Sequence, residues 1–148
     1  MKAKKYLFKF LMTLSVLNLL ACSINQKEKE TTESYTSPKE MYREIEFISQ
    51  NTTLRGRLYV PDGRSKKYPV VIMAHGYTTT INGMTADKYA EKFREAGYAV
   101  LLYDHQNLVL SDGEPRQEIN YWVLTRGYID CIDFVLIQPE INTSKIAV

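Results

Sequence analysis

Apolar and polar residues alternate twice near the start of the folding region. In residues 42–49, Ile45 and Phe47 are interleaved with Glu44 and Glu46, the period-two pattern of a half-buried strand. Residues 53–60 alternate again, with Leu54, Leu58 and Val60 on one side and Arg55, Arg57 and Tyr59 on the other. Asn51-Thr52 between them suits a turn, so the pair predicts an antiparallel hairpin. Pro61-Asp62-Gly63 is a further turn signal that closes it off.

Beyond that turn the pattern becomes continuous. Val70-Val71-Ile72-Met73-Ala74 is apolar throughout, as in a parallel strand covered on both faces. Residues 85–96 predict a helix, with Tyr89, Phe93 and Ala96 sharing the apolar face and Gly97 as its C-terminal stop. Ala99-Val100-Leu101-Leu102-Tyr103 predicts a second buried strand. A loop over 104–120 follows, then a helix over about 120–137 that buries Leu124, Tyr128, Ile132 and Val135 and ends before Pro139. Lys145-Ile146-Ala147-Val148 predicts a third buried strand. The series is an α/β arrangement: an antiparallel hairpin, then parallel strand–helix–strand–helix–strand. Sheets of this kind bind ligands at the carboxyl ends of their strands. Those ends carry His75-Gly76 and Asp104-His105.

The first residues read differently. Lys2, Lys4, Lys5 and Lys9 precede an apolar run from Phe10 to Leu20, too short for a spanning helix of ~20 residues. The run ends in Leu19-Leu20-Ala21-Cys22, which resembles the lipobox of bacterial lipoproteins, although Leu20 is larger than the residue usual at that place. The resemblance implies a signal peptide over 1–21, a lipidated Cys22 as the new N-terminus and a protein anchored to a bacterial membrane in the cell envelope, its domain outside the cytoplasm. Residues 23–40 are polar and charged, and cannot bury enough apolar surface to offset their ordering entropy. They are expected to tether a domain over 41–148.

Charge then changes the picture. The chain carries 19 basic and 17 acidic residues, a formal +2. All four lysines of the leader fall before Cys22, so the remainder has 15 basic against 17 acidic residues. A nucleic-acid partner is not expected without a clustered basic face. Cys22 and Cys131 are assigned separate roles, so no disulfide framework is expected.

The stretch from Pro69 to Trp122 is similar to the front of bacterial α/β-hydrolases of the dienelactone-hydrolase and X-Pro-peptidase-like group. Two pieces carry the resemblance: His75-Gly76 after the third strand, and Asp104-His105-Gln106-Asn107-Leu108-Val109-Leu110-Ser111-Asp112-Gly113-Glu114-Pro115-Arg116-Gln117 after the fourth. The family's second piece typically reads D-H-R-N-x-G-x-S-D-G-E-P-R-Q. The resemblance implies an α/β-hydrolase fold and acyl hydrolysis of ester or peptide-like bonds by a serine nucleophile. Backbone N–H groups of an oxyanion hole would stabilise the charge that forms on the carbonyl oxygen. By position one of them is the N–H of Tyr77, in a loop shaped by His75 and Gly76. Asp104, Ser111, Asp112 and Gly113 would shape the second loop. The family's nucleophile sits in G-x-S-x-G after the fifth strand, with the acid and histidine later. None of the seven glycines here builds that motif, so the resemblance implies the N-terminal part of a truncated family member, inactive as it stands.

Other residues are weaker candidates for chemistry. His75 as an acid–base group would need a positioned partner. A metal site from His75, Asp104 and His105 is disfavoured, because Asp104 and His105 are adjacent on one strand end and point to opposite faces. No metal or cofactor is expected. Cys131, in an apolar helix, reads as a buried structural thiol. Asp104 reads as a pin for its loop. Gln106 stands where the family has arginine, and Val109 where it has glycine, a poor fit if that backbone needs a positive φ. Ile146 and Val148 would lie on an open sheet edge, where a partner protein could pair. The alternative function is therefore a non-catalytic, membrane-anchored lipoprotein whose half-domain binds a partner. A small acyl substrate is expected only of a longer chain.

Overall fold

Two layers of helix cover a five-stranded mixed sheet in the computed structural model, which describes residues 41–63, 67–76, 79–83 and 85–148. The expected signal peptide, Cys22, the tether and Tyr77 lie outside the described residues. The elements are β1 (Tyr42–Ser49), β2 (Thr52–Tyr59), β3 (Tyr68–Ala74), α1 (Ala86–Glu95), β4 (Ala99–Tyr103), α2 (Tyr121–Leu136) and β5 (Ile141–Ala147). The strand order is β1-β2-β4-β3-β5. β1 pairs antiparallel with β2, and β2 antiparallel with β4; β3 runs parallel to both β4 and β5. This is the α/β arrangement expected from the hydrophobic pattern.

Alternation along the strands divides the core into two layers. Ile45, Phe47, Leu54, Leu58, Val70, Ile72, Leu101 and Tyr103 face α2, where they meet Cys131 and Val135. Tyr59, Val100 and Leu102 face the other way and pack with Ile81 and Ala90 of the α1 side. β4 is central, and all five of its residues are buried. Gly56 lies opposite Tyr103 in the β2–β4 pairing, and a Cβ there would come within 2.7 Å of Tyr103 Cβ. Glycine at this position lets the two backbones meet.

Three details depart from the sequence pattern. The second face of β2 is not solvated: Arg57 and Tyr59 are buried. The cause is α1, whose Asp87 pairs with Arg57 at 2.9 Å, while the guanidinium lies 4.5 Å from the centre of the Tyr42 ring. α1 itself buries Asp87 and Ala90, not Tyr89 and Phe93, which are exposed. Small alanines and an ion pair hold this helix to the sheet, which an apolar-stripe reading does not detect. Phe93 instead packs edge-on against Tyr98 across the helix end, their ring centres 6.2 Å apart. There Tyr98 N–H donates to Phe93 O and Gly97 N–H to Arg94 O, with Gly97 at φ +91°. This is the double hydrogen bond of a left-handed glycine cap, with its usual apolar contact.

The third departure concerns α2 and β5. α2 buries Val135 as expected, but with Gly127 and Cys131 rather than Leu124, Tyr128 and Ile132, which are half-buried. Gly127 faces Leu54 and Tyr103, where a Cβ would find ordinary van der Waals contact. Asn120 caps its first turn, its side chain accepting from Trp122 N–H at 3.1 Å. β5 starts at Ile141, four residues earlier than the apolar run suggests: Ile141 pairs with Tyr68, and the polar residues 142–145 make up a register irregularity before Ile146 and Ala147 pair with Val70 and Val71. β5 forms an edge of the described sheet.

Candidate active site

The parallel register of β3 and β4 builds the site. Ala74 lies opposite Tyr103, so the next residues of the two strands, His75 and Asp104, leave the sheet side by side. His75 Nε2 is 3.1 Å from Asp104 Oδ1, and its Nδ1 is 3.0 Å from the Gly76 carbonyl oxygen. The His105 N–H also points at Nε2, but at 3.4 Å, and the carboxylate is the closer partner. Both ring nitrogens therefore face acceptors, an arrangement that suits the imidazolium. Burial opposes that charge, but the Asp104 carboxylate and the Gly76 carbonyl outweigh it, and the His75 pKa is raised.

Asp104 is fully buried and ties two loops together. Its Oδ1 accepts from the Ile81 N–H at 3.0 Å, in the loop after β3, and its Oδ2 from the Leu110 N–H at 3.3 Å, in the loop after β4. The Asp104 carbonyl accepts from Ser111 Oγ, which in turn accepts from the Arg55 N–H. Carboxylates that collect backbone N–H donors are strong organisers of loops.

His105 turns the other way, toward α2. Its ring meets Tyr103, Tyr128 and His75 edge-on, at centroid distances of 5.3, 5.5 and 5.3 Å. Its Nδ1 is buried with no hydrogen-bond partner among the described residues. Burial and the neighbouring His75 charge push its pKa down to about 4, against the pull of Asp104. At neutral pH His105 is thus a neutral, aromatic core residue beside His75. Among the described residues no group of three His, Cys, Asp or Glu is placed to hold a metal ion. Cys131 is fully buried, and burial pushes its thiol well above the ordinary range.

The loop of residues 104–120 is fastened from both sides. Asp112 N–H donates to Thr53 O, Asn107 N–H to Asp112 O, and Gln117 N–H to Asn107 O. The Arg55 guanidinium joins Asp112, Glu46 and the Leu110 carbonyl. Arg116 reaches the carbonyls of Ser111, Val109 and Gly113. Gly113 has φ +116°, and a Cβ there would run into Asn107. Val109 has φ +40°, the left-handed conformation that the glycine-to-valine change makes costly. Gln106 is half-buried, and its Oε1 has no hydrogen-bond partner among the described residues.

The strand ends thus bring His75, Gly76 and Asp104 together, with Ser111 one hydrogen bond further out; Asp112 and Gly113 shape the outer loop. Sequence reasoning gave no role to Arg55 and Arg116, which clamp that loop. Arg55 falls opposite Leu54, Leu58 and Val60 on an alternating strand, and nothing local reports that the loop folds back over it. Ile81 was likewise unassigned.

The chain belongs to a known family. Residues 50–148 match the X-Pro dipeptidyl-peptidase (S15) family, and the chain is a member of it, with an α/β-hydrolase fold. It is 35% identical over 106 residues to the thiohydrolase aneE of Aspergillus aculeatus, covering 71% of this chain and 32% of that protein. The α/β-hydrolase GrgF from Penicillium sp. sh18 superposes with a TM-score of 0.65 at 29% identity, over 71% of this chain and 35% of that one. PA2218 from Pseudomonas aeruginosa gives 0.69 at 22% identity, over 80% and 37%, a likeness of fold. The chain spans about a third of the length of the curated relatives it matches.

Proposed function

We propose that this chain is the N-terminal, oxyanion-side portion of a lipid-anchored acyl hydrolase, acting on ester, thioester or peptide-like acyl groups. The observation that carries this reading is the family match over residues 50–148, together with the motifs at the ends of β3 and β4. The names of similar proteins, a thiohydrolase and polyketide transferases, describe acyl-transfer chemistry and support it. In the proposed site the Tyr77 N–H stabilises the developing oxyanion. His75 and Asp104 hold the start of that loop and tie it to the loop after β4. The nucleophile is supplied by a G-x-S-x-G turn after β5, a motif these 148 residues do not contain, so they are inactive alone.

The anchor is proposed from Cys22. The basic start, the short apolar run and Ala21-Cys22 support lipidation there, with 23–40 as the tether and the domain in the cell envelope. Each buried methylene contributes roughly 0.8 kcal/mol, so several acyl chains hold a protein firmly. Radiolabelled palmitate should enter the wild-type chain in a bacterial host and not the Cys22→Ala variant; equal labelling of both would remove the anchor from the account.

A fluorophosphonate probe tests the catalytic reading. The 148-residue chain should not label, and a version extended through a serine-bearing G-x-S-x-G turn should. Labelling of the 148-residue chain would mean that a nucleophile lies within it. An extended version that folds yet never labels would favour the non-catalytic, partner-binding lipoprotein.

A further inference from the structure

A cavity of about 430 Å³ opens between the loop after β3 and the loop after β4. Leu108, Val109 and Ile119 form its apolar wall, while Thr79, Thr80, Gln117 and Arg116 supply its polar groups. Its size falls in the range of small-molecule sites, and an apolar wall with few polar groups is their usual composition. None of its lining residues is acidic.

Arg116 is the unusual member. Its guanidinium donates to three neutral carbonyls, those of Ser111, Val109 and Gly113, through Nη1 and Nη2. A guanidinium has five N–H donors. Three are engaged, which leaves Nε–H and one Nη2–H to donate to an oxyanion. No carboxylate pairs with this guanidinium among the described residues. The Glu114 carboxylate takes the Arg116 backbone N–H, and Asp112 is held by Arg55. The clamp thus fixes a cation at the cavity with no ion pair of its own among the described residues, the nearby Asp112 carboxylate being hydrogen-bonded to Arg55 instead. Thr79 Oγ1, on the opposite loop, is buried and has no hydrogen-bond partner among the described residues. It is a second donor for the same anion.

We propose that this cavity selects acyl groups that carry a carboxylate or phosphate, with Arg116 binding the anion and Leu108, Val109 and Ile119 the hydrocarbon. The inference rests on the acyl-hydrolase reading for its place in the reaction. The binding step can be tested without turnover. Arg116 would act as a specificity residue, fixing the substrate by its charged end while the acyl carbon reaches the oxyanion loop.

The test is titration of the full chain with hexanoate and, separately, with hexanamide, its neutral counterpart of equal length, following backbone amide shifts. Hexanoate should move the signals of Thr79, Leu108 and Gln117, saturably, and hexanamide should bind roughly tenfold more weakly. Arg116→Gln should weaken hexanoate by roughly tenfold and leave hexanamide unchanged, while Arg116→Lys should restore part of the loss. Hexyl phosphate in place of hexanoate separates the two anion sources, the tighter binder naming the group preferred. Equal binding of hexanoate and hexanamide, or hexanoate binding indifferent to Arg116→Gln in a variant whose amide spectrum stays dispersed, would overturn the proposal. Failure here with fluorophosphonate labelling of the extended chain intact would remove the anion preference alone. Loss of that labelling would remove the hydrolase reading and leave the cavity as a binding site.

Discussion

Two histidines around one carboxylate make the site's pH behaviour specific enough to refute. They are the only histidines in the chain, so their ring signals can be assigned from one variant. His75, with Asp104 and the Gly76 carbonyl at its nitrogens, is raised above its ordinary value of 6.5. His105, buried among aromatic rings and next to the His75 charge, is lowered to about 4. One titration should therefore lie above 6.5 and the other far below it. The shift of His105 corresponds to about 3 kcal/mol, at 1.36 kcal/mol per pH unit. The two contributions to stability have opposite signs. In unfolded chains His105 binds its proton near 6.5, in the folded chain only near 4, so its contribution is full above 6.5 and is lost as pH falls toward 4. His75 does the reverse: its contribution is present below 6.5 and is lost as pH rises through its raised value. Urea unfolding of wild type and His105→Gln across this range should show a flatter acid side in the variant, by about 3 kcal/mol between the two limits. Ring Cε1–H titrations of both proteins give the individual values. Two histidines titrating together near 6.5, or an acid limb unchanged by His105→Gln, would refute the reasoning.

Three further outcomes follow from the fold. Asp87→Ala leaves the Arg57 guanidinium buried without its carboxylate, and should cost ~3–5 kcal/mol in urea unfolding, whereas Asp87→Leu with Arg57→Met should recover most of that loss. Gly127→Ala should stabilise by about 1 kcal/mol, since helix propensity favours alanine and its Cβ would meet Leu54 and Tyr103 at 3.5 and 3.6 Å, ordinary contact; a lowered midpoint would contradict this. Val109→Gly relieves a left-handed β-branched residue worth ~1–2 kcal/mol against about 0.5–1 kcal/mol of added chain entropy, so the urea midpoint should stay level or rise; a clear fall would mean that the loop depends on the valine side chain.

What the sequence disclosed follows from which interactions are local. Period-two alternation marked β1 and β2, continuous apolar runs marked β3 and β4, and Gly97 marked the end of α1, because each signal is written in consecutive residues. The buried side of α1 was hidden because Asp87 and Ala90 carry no apolar signature; Asp87 is buried only because Arg57, 30 residues away, meets it. The start of β5 carries no local signal, because the polar residues 142–145 separate Ile141 from Ile146 and Ala147, the residues that resume pairing with β3. The meeting of His75 and Asp104 was within reach: a parallel pair in register places the residues after two strand ends beside each other, once the strands are known to be neighbours. The clamps were not. Arg55 and Arg116 act through carbonyls of a loop whose path depends on Asp104, on Gly113 and on the start of β2.

If these residues form the proposed oxyanion side of an acyl hydrolase, the nucleotide sequence of the gene past the codon for Val148 shows it most plainly. The account predicts a continuation, in frame or after a single frameshift, into G-x-S-x-G directly after β5, followed by an acidic residue and then a histidine. A reading frame that stops there, or runs on without that motif, would contradict it.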